Sequence, residues 1–175
     1  MKKFKKMLIV FFVLGSSYAF AQTPDLDVPY VPTRQAVVDA MIALAEVKPG
    51  DIHYDLGCGD GRIVITAAQK GAIGTGVDID PQRIKEANEN ARAAGVTDKV
   101  TFVEGNLFDM DFSNASVLTL YLLPDVNLQL KPKILSEKKP GSRVVSHAFN
   151  MGDWEPDEKI VVEGSTLYLW VVPER

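Results

Sequence analysis

Short apolar runs alternate with longer amphipathic segments along this chain, and the alternation predicts strands and helices in turn. The strand-like runs are 52–56, 73–78, 100–104, 115–122, 143–149, 159–162 and 166–172. The helix-like segments are 33–45, with Thr33 as its cap, 62–70, 81–94, with Asp80 as its cap, and 125–138. Pro132 is expected to kink the last helix or to divide it into two.

Alternating strands and helices predict an α/β fold in which a mostly parallel seven-stranded sheet carries helices on both faces. The run 115–122 is continuously apolar, so we expect it in the centre of the sheet. The last two runs are joined only by Glu163-Gly164-Ser165, which predicts a C-terminal antiparallel hairpin.

The first 21 residues differ in character from the rest of the chain. Four lysines precede an apolar run, and Ala19-Phe20-Ala21 has the small-x-small pattern of a signal-peptide cleavage site. We therefore expect a signal peptide at 1–21, an extended Pro-rich lead-in at 22–32 and a single domain at 33–175. Cleavage would make the protein periplasmic or secreted, and an uncleaved segment would anchor it in the inner membrane.

Composition narrows the classes of partner and cofactor. Beyond residue 21 the chain has 15 basic and 23 acidic residues, a net charge of −8. This charge argues against a nucleic-acid substrate, because phosphate backbones are bound by clustered Lys and Arg. The chain has one cysteine and two histidines, His53 and His147, which are far apart in sequence, so no metal site is predicted.

The segment Asp55-Leu56-Gly57-Cys58-Gly59-Asp60-Gly61-Arg62 is the strongest candidate for a ligand site. It follows a predicted strand and precedes a predicted helix, and its glycines let a ligand approach the backbone closely. Asp78 ends the next strand at a spacing suited to a ribose. A nicotinamide dinucleotide is disfavoured, because its fingerprint requires a glycine at the position of Arg62.

Three ordered motifs resemble the class I S-adenosylmethionine-dependent methyltransferases, whose Rossmann-like sheet ends in an antiparallel hairpin. They are the loop Asp55–Gly61, the segment Val77-Asp78-Ile79-Asp80-Pro81 and the segment Val103-Glu104-Gly105-Asn106-Leu107. The resemblance implies S-adenosyl-L-methionine as cofactor. It assigns the methionine end to Asp55, Gly57, Cys58 and Gly59, the ribose to Asp78, and the adenine to Ile79, Asn106 and Leu107.

A narrower resemblance links Tyr30-Val31-Pro32-Thr33, Gly59-Asp60-Gly61-Arg62, the run 144–149 and Trp154 to a small protein-lysine methyltransferase family. Its eukaryotic members act on a mitochondrial ADP/ATP carrier and on a membrane component of ATP synthase. The likeness implies a protein lysine as acceptor and places Tyr30 and Thr33 beside the cofactor or target.

Tyr121, at the end of the central strand, is the candidate catalytic, substrate-facing residue, and Asn150 and Trp154 are candidates for a target channel. Trp154 is equally suited to anchoring its loop to the core. The segment Tyr121-Leu122-Leu123-Pro124 lacks the Asn/Asp-Pro-Pro-Tyr signature of exocyclic-amine methylation. Two alternatives stay open, namely a small-molecule methyltransferase and an exported, non-catalytic binding module on the same fold.

Overall fold

The structure is a computed structural model that describes residues 30–174. Its helices are α1 (Gln35–Leu44), α2 (Arg62–Gln69), α3 (Pro81–Ala94) and α4 (Pro124–Glu137). Its strands are β1 (Ile52–Leu56), β2 (Ile73–Asp78), β3 (Val100–Glu104), β4 (Val117–Leu120), β5 (Arg143–His147), β6 (Glu158–Val162) and β7 (Ser165–Val171). The predicted signal peptide and most of the predicted lead-in lie outside the described residues.

The seven strands form one sheet in the order β3-β2-β1-β4-β5-β7-β6. Strands β1 to β5 pair in parallel, and β7 lies antiparallel between β5 and β6. This confirms the predicted fold class, including the central place of β4, all four residues of which are buried. The strand order reverses between β1 and β4, and ligands of open α/β sheets bind outside the carboxyl ends of the strands at such a point.

Helices cover both faces of the sheet because successive strand residues point to opposite sides. Val117 of β4 belongs to a buried cluster with residues of α1 and α2. Its neighbour Leu118 belongs to the cluster that contains Val126, Leu130 and Ile134 of α4. Helix α3 packs against α2 through a third, smaller cluster. Among residues 30–174, no helix is long and apolar enough to cross a membrane.

The predicted cap of α1 is wrong, and so is one of the two alternatives predicted for Pro132, the division of α4. Helix α1 begins at Gln35 with Arg34 as its N-cap, and Thr33 does not cap it because its hydroxyl lies 3.2 Å from Nδ1 of His147. Pro132 does not divide α4, which is one helix. Pro132 and Leu128, four residues earlier, lie on the exposed side of α4, where water can satisfy the carbonyl that proline leaves unpaired.

Candidate functional site

One cavity opens at the carboxyl ends of β1, β2 and β4, where the strand order reverses. It encloses about 910 Å³, including the part open to solvent. Its walls include every predicted cofactor residue and the predicted substrate-facing tyrosine: Tyr30, Thr33, Asp55, Gly57, Cys58, Gly59, Asp78, Ile79, Asn106, Leu107 and Tyr121. Residues that are well separated in the sequence therefore meet at one site.

The loop after β1 is held to the end of β2 by backbone hydrogen bonds. The N–H groups of Gly57 and Cys58 both donate to the Val77 carbonyl, at 2.8 and 2.9 Å. The Asp78 carboxylate accepts from the Gly59 N–H at 2.8 Å and, with its other oxygen, from the Asp80 N–H at 3.0 Å. The ribose candidate Asp78 is thus oriented from two sides before any ligand binds.

Two glycines of this loop have no room for a side chain. Gly59 has a φ of 52°, and a Cβ atom there would lie 2.5 Å from the ring of Tyr30. Gly61 is the N-cap of α2 with a φ of 79°, and its Cβ would lie 2.7 Å from the ring of Phe102. Left-handed backbone and close ring contacts both require glycine at these positions.

The mouth of the cavity is formed by the segment 30–33 and is held by arginines. Arg62 pairs with Asp60, Nη2 to Oδ2 at 2.5 Å, and donates from Nη1 to the Thr33 carbonyl at 2.7 Å. The Arg83 guanidinium lies 4.5 Å from the centre of the Tyr30 ring, a cation–π contact. Burial acts to raise the pKa of Asp60, but Arg62 holds that pKa below its ordinary value.

Asp55 forms the floor of the cavity and is only 1% exposed. Desolvation raises its pKa to about 7, opposed by a hydrogen bond from Thr119 and reinforced by the charge of Asp78. Its Oδ2 atom is buried without a hydrogen-bond partner among residues 30–174. A buried carboxylate oxygen in this state is a strong acceptor for a cationic donor placed in the cavity.

The side of the cavity predicted for adenine combines apolar and amide groups. Ile79 is 40% exposed, so it belongs to the cavity wall and not to the core. The side-chain oxygen of Asn106 accepts from the Phe108 N–H at 3.0 Å. The NH2 group of Asn106 is therefore the donor that it offers to a ligand. Leu107 is half-buried and packs against the main core cluster.

Tyr121 stands at the end of β4 on the opposite side of the cavity and rests on a buried histidine. The ring centres of Tyr121 and His147 are 3.9 Å apart. Burial, followed by the charge of Arg34, lowers the pKa of His147 below its ordinary value, so the imidazole behind Tyr121 is neutral at pH 7.

The two residues predicted for a target channel do not line this cavity. Asn150 is exposed, and its side-chain oxygen accepts from the Gly152 N–H at 3.2 Å. The Trp154 ring lies 5.8 Å from that of Trp170, whose Nε1 donates to the Trp154 carbonyl at 2.8 Å. Trp154 therefore anchors its loop to the core, and the target-channel role of both residues stays a prediction.

Sequence reasoning assigned no role to Asp60 and Arg62 beyond their place in the motif, and it missed Arg83. An ion pair two residues apart within a glycine loop was a signal available for the first two. Arg83 contacts Tyr30 from a distant part of the sequence, so only the folded chain reveals it. In residues 30–174, no three His, Cys, Asp or Glu side chains are grouped so as to hold a metal ion.

Comparison with known proteins identifies related enzymes. The family model described as the ANTKMT methyltransferase domain matches residues 55–158. A protein-lysine N-methyltransferase of Saccharolobus islandicus is 50% identical over 154 residues, which cover 85% of this chain and 96% of that protein. The adenine nucleotide translocase lysine N-methyltransferase of Mus musculus is 33% identical over 141 residues, and these cover 80% of this chain but 61% of the mouse protein.

A solved structure is also similar over most of its length. It is described as an RNA methyltransferase from Salinibacter ruber in complex with S-adenosyl-L-homocysteine, and it is 53% identical to this chain with a TM-score of 0.81. The match covers 83% of this chain and 95% of that one. These relatives differ in the acceptor that their names give, a protein lysine or RNA.

Proposed function

Because this chain belongs to the ANTKMT methyltransferase-domain family and is an S-adenosylmethionine-dependent methyltransferase, we propose that it methylates the side-chain amine of a protein lysine. Support comes first from the protein-lysine N-methyltransferase of Saccharolobus islandicus, which is 50% identical to this chain over 96% of its own length. The charges around the cavity provide a second, independent argument.

The residues of the site fit the cofactor. The unpartnered Oδ2 of Asp55 provides an acceptor for a cationic amino group, and Asp78 and Ile79 provide a hydroxyl acceptor and an apolar face. The NH2 group of Asn106 provides a donor for a base edge. Once bound, S-adenosylmethionine supplies a methyl group on a positively charged sulfur, which a neutral amine can attack directly.

The observation that carries the lysine proposal is that the cavity, as residues 30–174 form it, has no unpaired arginine or lysine in its walls. Its two arginines are paired, Arg62 with Asp60 and Arg83 with Asp80 and Glu86. Asp55 and Asp78 have no cationic partner among the described ion pairs. Such a site attracts the cationic cofactor through Asp55 and Asp78, whereas its walls offer no unpaired cation that would neutralise the phosphates of RNA.

The protein has two tasks in the reaction that its own residues can perform. It must hold the amine in line with the methyl group, for which Tyr121 is the candidate wall. It must also favour the neutral amine, because a lysine in water has a pKa of about 10.4 and is protonated at pH 7. Burial of the amine against apolar walls would lower that pKa, so no dedicated base is required.

A labelling experiment tests the acceptor class. The purified protein and S-adenosylmethionine with a labelled methyl group are added to an extract of cells that lack the gene. We expect label in protease-sensitive, RNase-resistant material and mass spectra that place added methyl groups on lysine Nε. The Asp78→Ala variant, which should not bind cofactor, is the matched control.

The other outcomes separate the alternatives. Label that disappears with RNase would identify an RNA acceptor and overturn the lysine proposal. Label that passes an ultrafilter would identify a small-molecule acceptor. Tight binding of S-adenosylhomocysteine without transfer to any fraction would favour a non-catalytic binding module.

The sequence alone supports a proposal on location, namely that the chain is exported after cleavage behind Ala21. Mass spectrometry of the protein isolated from its own cells should find Gln22 at the N-terminus. A mature chain that starts at Met1 and fractionates with membranes would identify an uncleaved anchor. The same chain in the soluble fraction would overturn export altogether.

A further inference from the structure

A line of three buried polar side chains runs beneath the cavity floor, from Asp55 through Thr119 to His53. The Thr119 Oγ1 atom lies 2.7 Å from Oδ1 of Asp55 and 2.8 Å from Nε2 of His53. Asp55 is 1% exposed and the other two are fully buried. The register explains the line, because β1 and β4 pair Asp55 with Thr119 and because His53 and Asp55 point to the same face of β1.

The donors and acceptors of this line allow one order of protons when Asp55 is ionised. A carboxylate only accepts, so the single hydroxyl proton of Thr119 is donated to Asp55. The Thr119 oxygen must then accept from His53, which requires a proton on Nε2 of the imidazole. Burial lowers the pKa of His53 to about 3, so the ring is neutral and its Nδ1 atom carries no proton.

This order leaves one oxygen of Asp55 for a ligand. Oδ1 is occupied by Thr119, and Oδ2 is buried without a partner in the described part of the chain. Since Oδ1 is tethered to Thr119, rotation of the carboxylate is restricted, and Asp55 itself lines the cavity.

We propose that Thr119 and His53 are positioning residues for the cofactor, which hold Asp55 so that its Oδ2 atom accepts a hydrogen bond from the amino group of S-adenosylmethionine. Thr119 acts on Asp55 directly and His53 acts through Thr119. This inference rests on the cofactor and is independent of the acceptor class.

A purely structural role predicts different behaviour and can be separated from this proposal. Valine has nearly the shape of threonine, so Thr119→Val removes the hydroxyl while it keeps the packing of the central strand. Thr119→Ser keeps the hydroxyl and removes a methyl group. If only packing matters, the serine variant should bind the cofactor more weakly than the valine variant. If the hydroxyl positions Asp55, the valine variant should bind it more weakly.

Calorimetric titration with two ligands tests the proposal. S-adenosylhomocysteine carries the amino group, whereas 5′-deoxy-5′-methylthioadenosine has the same nucleoside and sulfur but no amino acid. We expect Thr119→Val to lower the affinity for S-adenosylhomocysteine about tenfold, the size of one hydrogen bond to a charged group. The affinity of this variant for methylthioadenosine should stay within about twofold of that of the parent protein. Thr119→Ser should bind both ligands as the parent protein does.

Equal losses for both ligands, or a serine variant as weak as the valine variant, would overturn the positioning role. An unchanged affinity in Thr119→Val would overturn it as well. A parent protein that fails to bind S-adenosylhomocysteine at all would instead contradict the cofactor assignment, so the two failures are distinguishable.

Nitrogen-15 spectra of the imidazole side chains provide a test without any ligand. In the cofactor-free protein at pH 9, where Asp55 is ionised, His53 should be neutral with its proton on Nε2, and Thr119→Val should change the His53 signals. A proton on Nδ1 would mean that Thr119 donates to His53 and not to Asp55, which would contradict the proposed order.

Discussion

The floor and the mouth of the cavity differ in burial and in how far their polar groups are already paired. Its floor consists of buried strand residues, and Asp55 there keeps one oxygen without a partner among residues 30–174. The mouth consists of more exposed side chains that are already paired with one another, as in the contacts of Arg62 with Asp60 and of Arg83 with Tyr30. The floor therefore keeps an acceptor free for a ligand, whereas the mouth shapes and closes the cavity. Changes to the floor should therefore cost more affinity than changes to the mouth.

The largest effect is expected at Asp78, at the end of β2. Replacement by alanine removes the ribose candidate and also the acceptor for the N–H groups of Gly59 and Asp80. We expect at least a loss of about a hundredfold in affinity for S-adenosylhomocysteine, the combined size of two charge-assisted hydrogen bonds, by calorimetry. Asp78→Asn, which keeps one oxygen acceptor, should fall between the alanine variant and the parent protein. A loss of affinity of less than about tenfold in the alanine variant would show that Asp78 does not contact the cofactor.

Asp55 should make cofactor affinity depend on pH. Its pKa is about 7 in the free protein, and a bound cation would lower that pKa, so binding near neutral pH releases a proton. Affinity should therefore rise with pH by up to about tenfold per unit below pH 7 and level off above it. Asp55→Asn cannot ionise, so it should bind more weakly and should lose this dependence. Parallel pH profiles for the two proteins would assign the titration to another group.

At the mouth, Tyr30 offers a test of closure. Its ring lies against Gly59 and under Arg83, and its hydroxyl interacts with Asp60. We expect Tyr30→Ala to weaken the binding of S-adenosylhomocysteine about tenfold through lost ring contacts, and Tyr30→Phe, which keeps the ring and loses only the hydroxyl, to weaken it less. A loss of affinity in Tyr30→Ala larger than that in Asp55→Asn would reverse the ranking of floor and mouth.

The smallest effect is expected at His147, which supports the wall opposite the adenine side. Its ring stacks on Tyr121 and its Nδ1 atom contacts Thr33. His147→Ala should raise the KM for the acceptor several-fold, about 1 kcal/mol, and leave the Kd of S-adenosylhomocysteine unchanged. His147→Phe, which keeps an aromatic ring, should have a KM for the acceptor close to that of the parent protein. A change in cofactor Kd as large as that in KM would show that His147 supports the floor instead.

The sequence predicted the fold well because its signals were local. The bounds of β1, β2 and β3 agree with the prediction to the residue, since each is a short apolar run between glycines or charged turns. Asp80 caps α3 as expected by accepting from the Gln82 N–H at 2.8 Å. Strand β5 ends two residues early, at His147, because Ala148 has a left-handed φ of 68° that no sequence pattern announced.

The site was predictable in its residues but not in its contacts. Motif order identified Asp55, Asp78 and Asn106, which the structure brings to one cavity. It could not show that Thr33 would contact His147, 114 positions away, instead of capping α1. Nor could it show that His53 continues a hydrogen-bonded line to Asp55, because that line passes through Thr119 on a strand 64 residues further along the chain. Contacts of this kind depend on strand register, which local periodicity does not encode.

The cysteine of the glycine loop allows the opening of that loop to be measured by its rate of alkylation. Cys58 is the sole cysteine of the chain, it is 5% exposed, and burial raises the pKa of its thiol above the ordinary value. A thiol in this state reacts slowly with alkylating reagents, because they require the exposed thiolate. Its labelling rate therefore measures how often the loop opens, and that rate should slow when a ligand closes the loop.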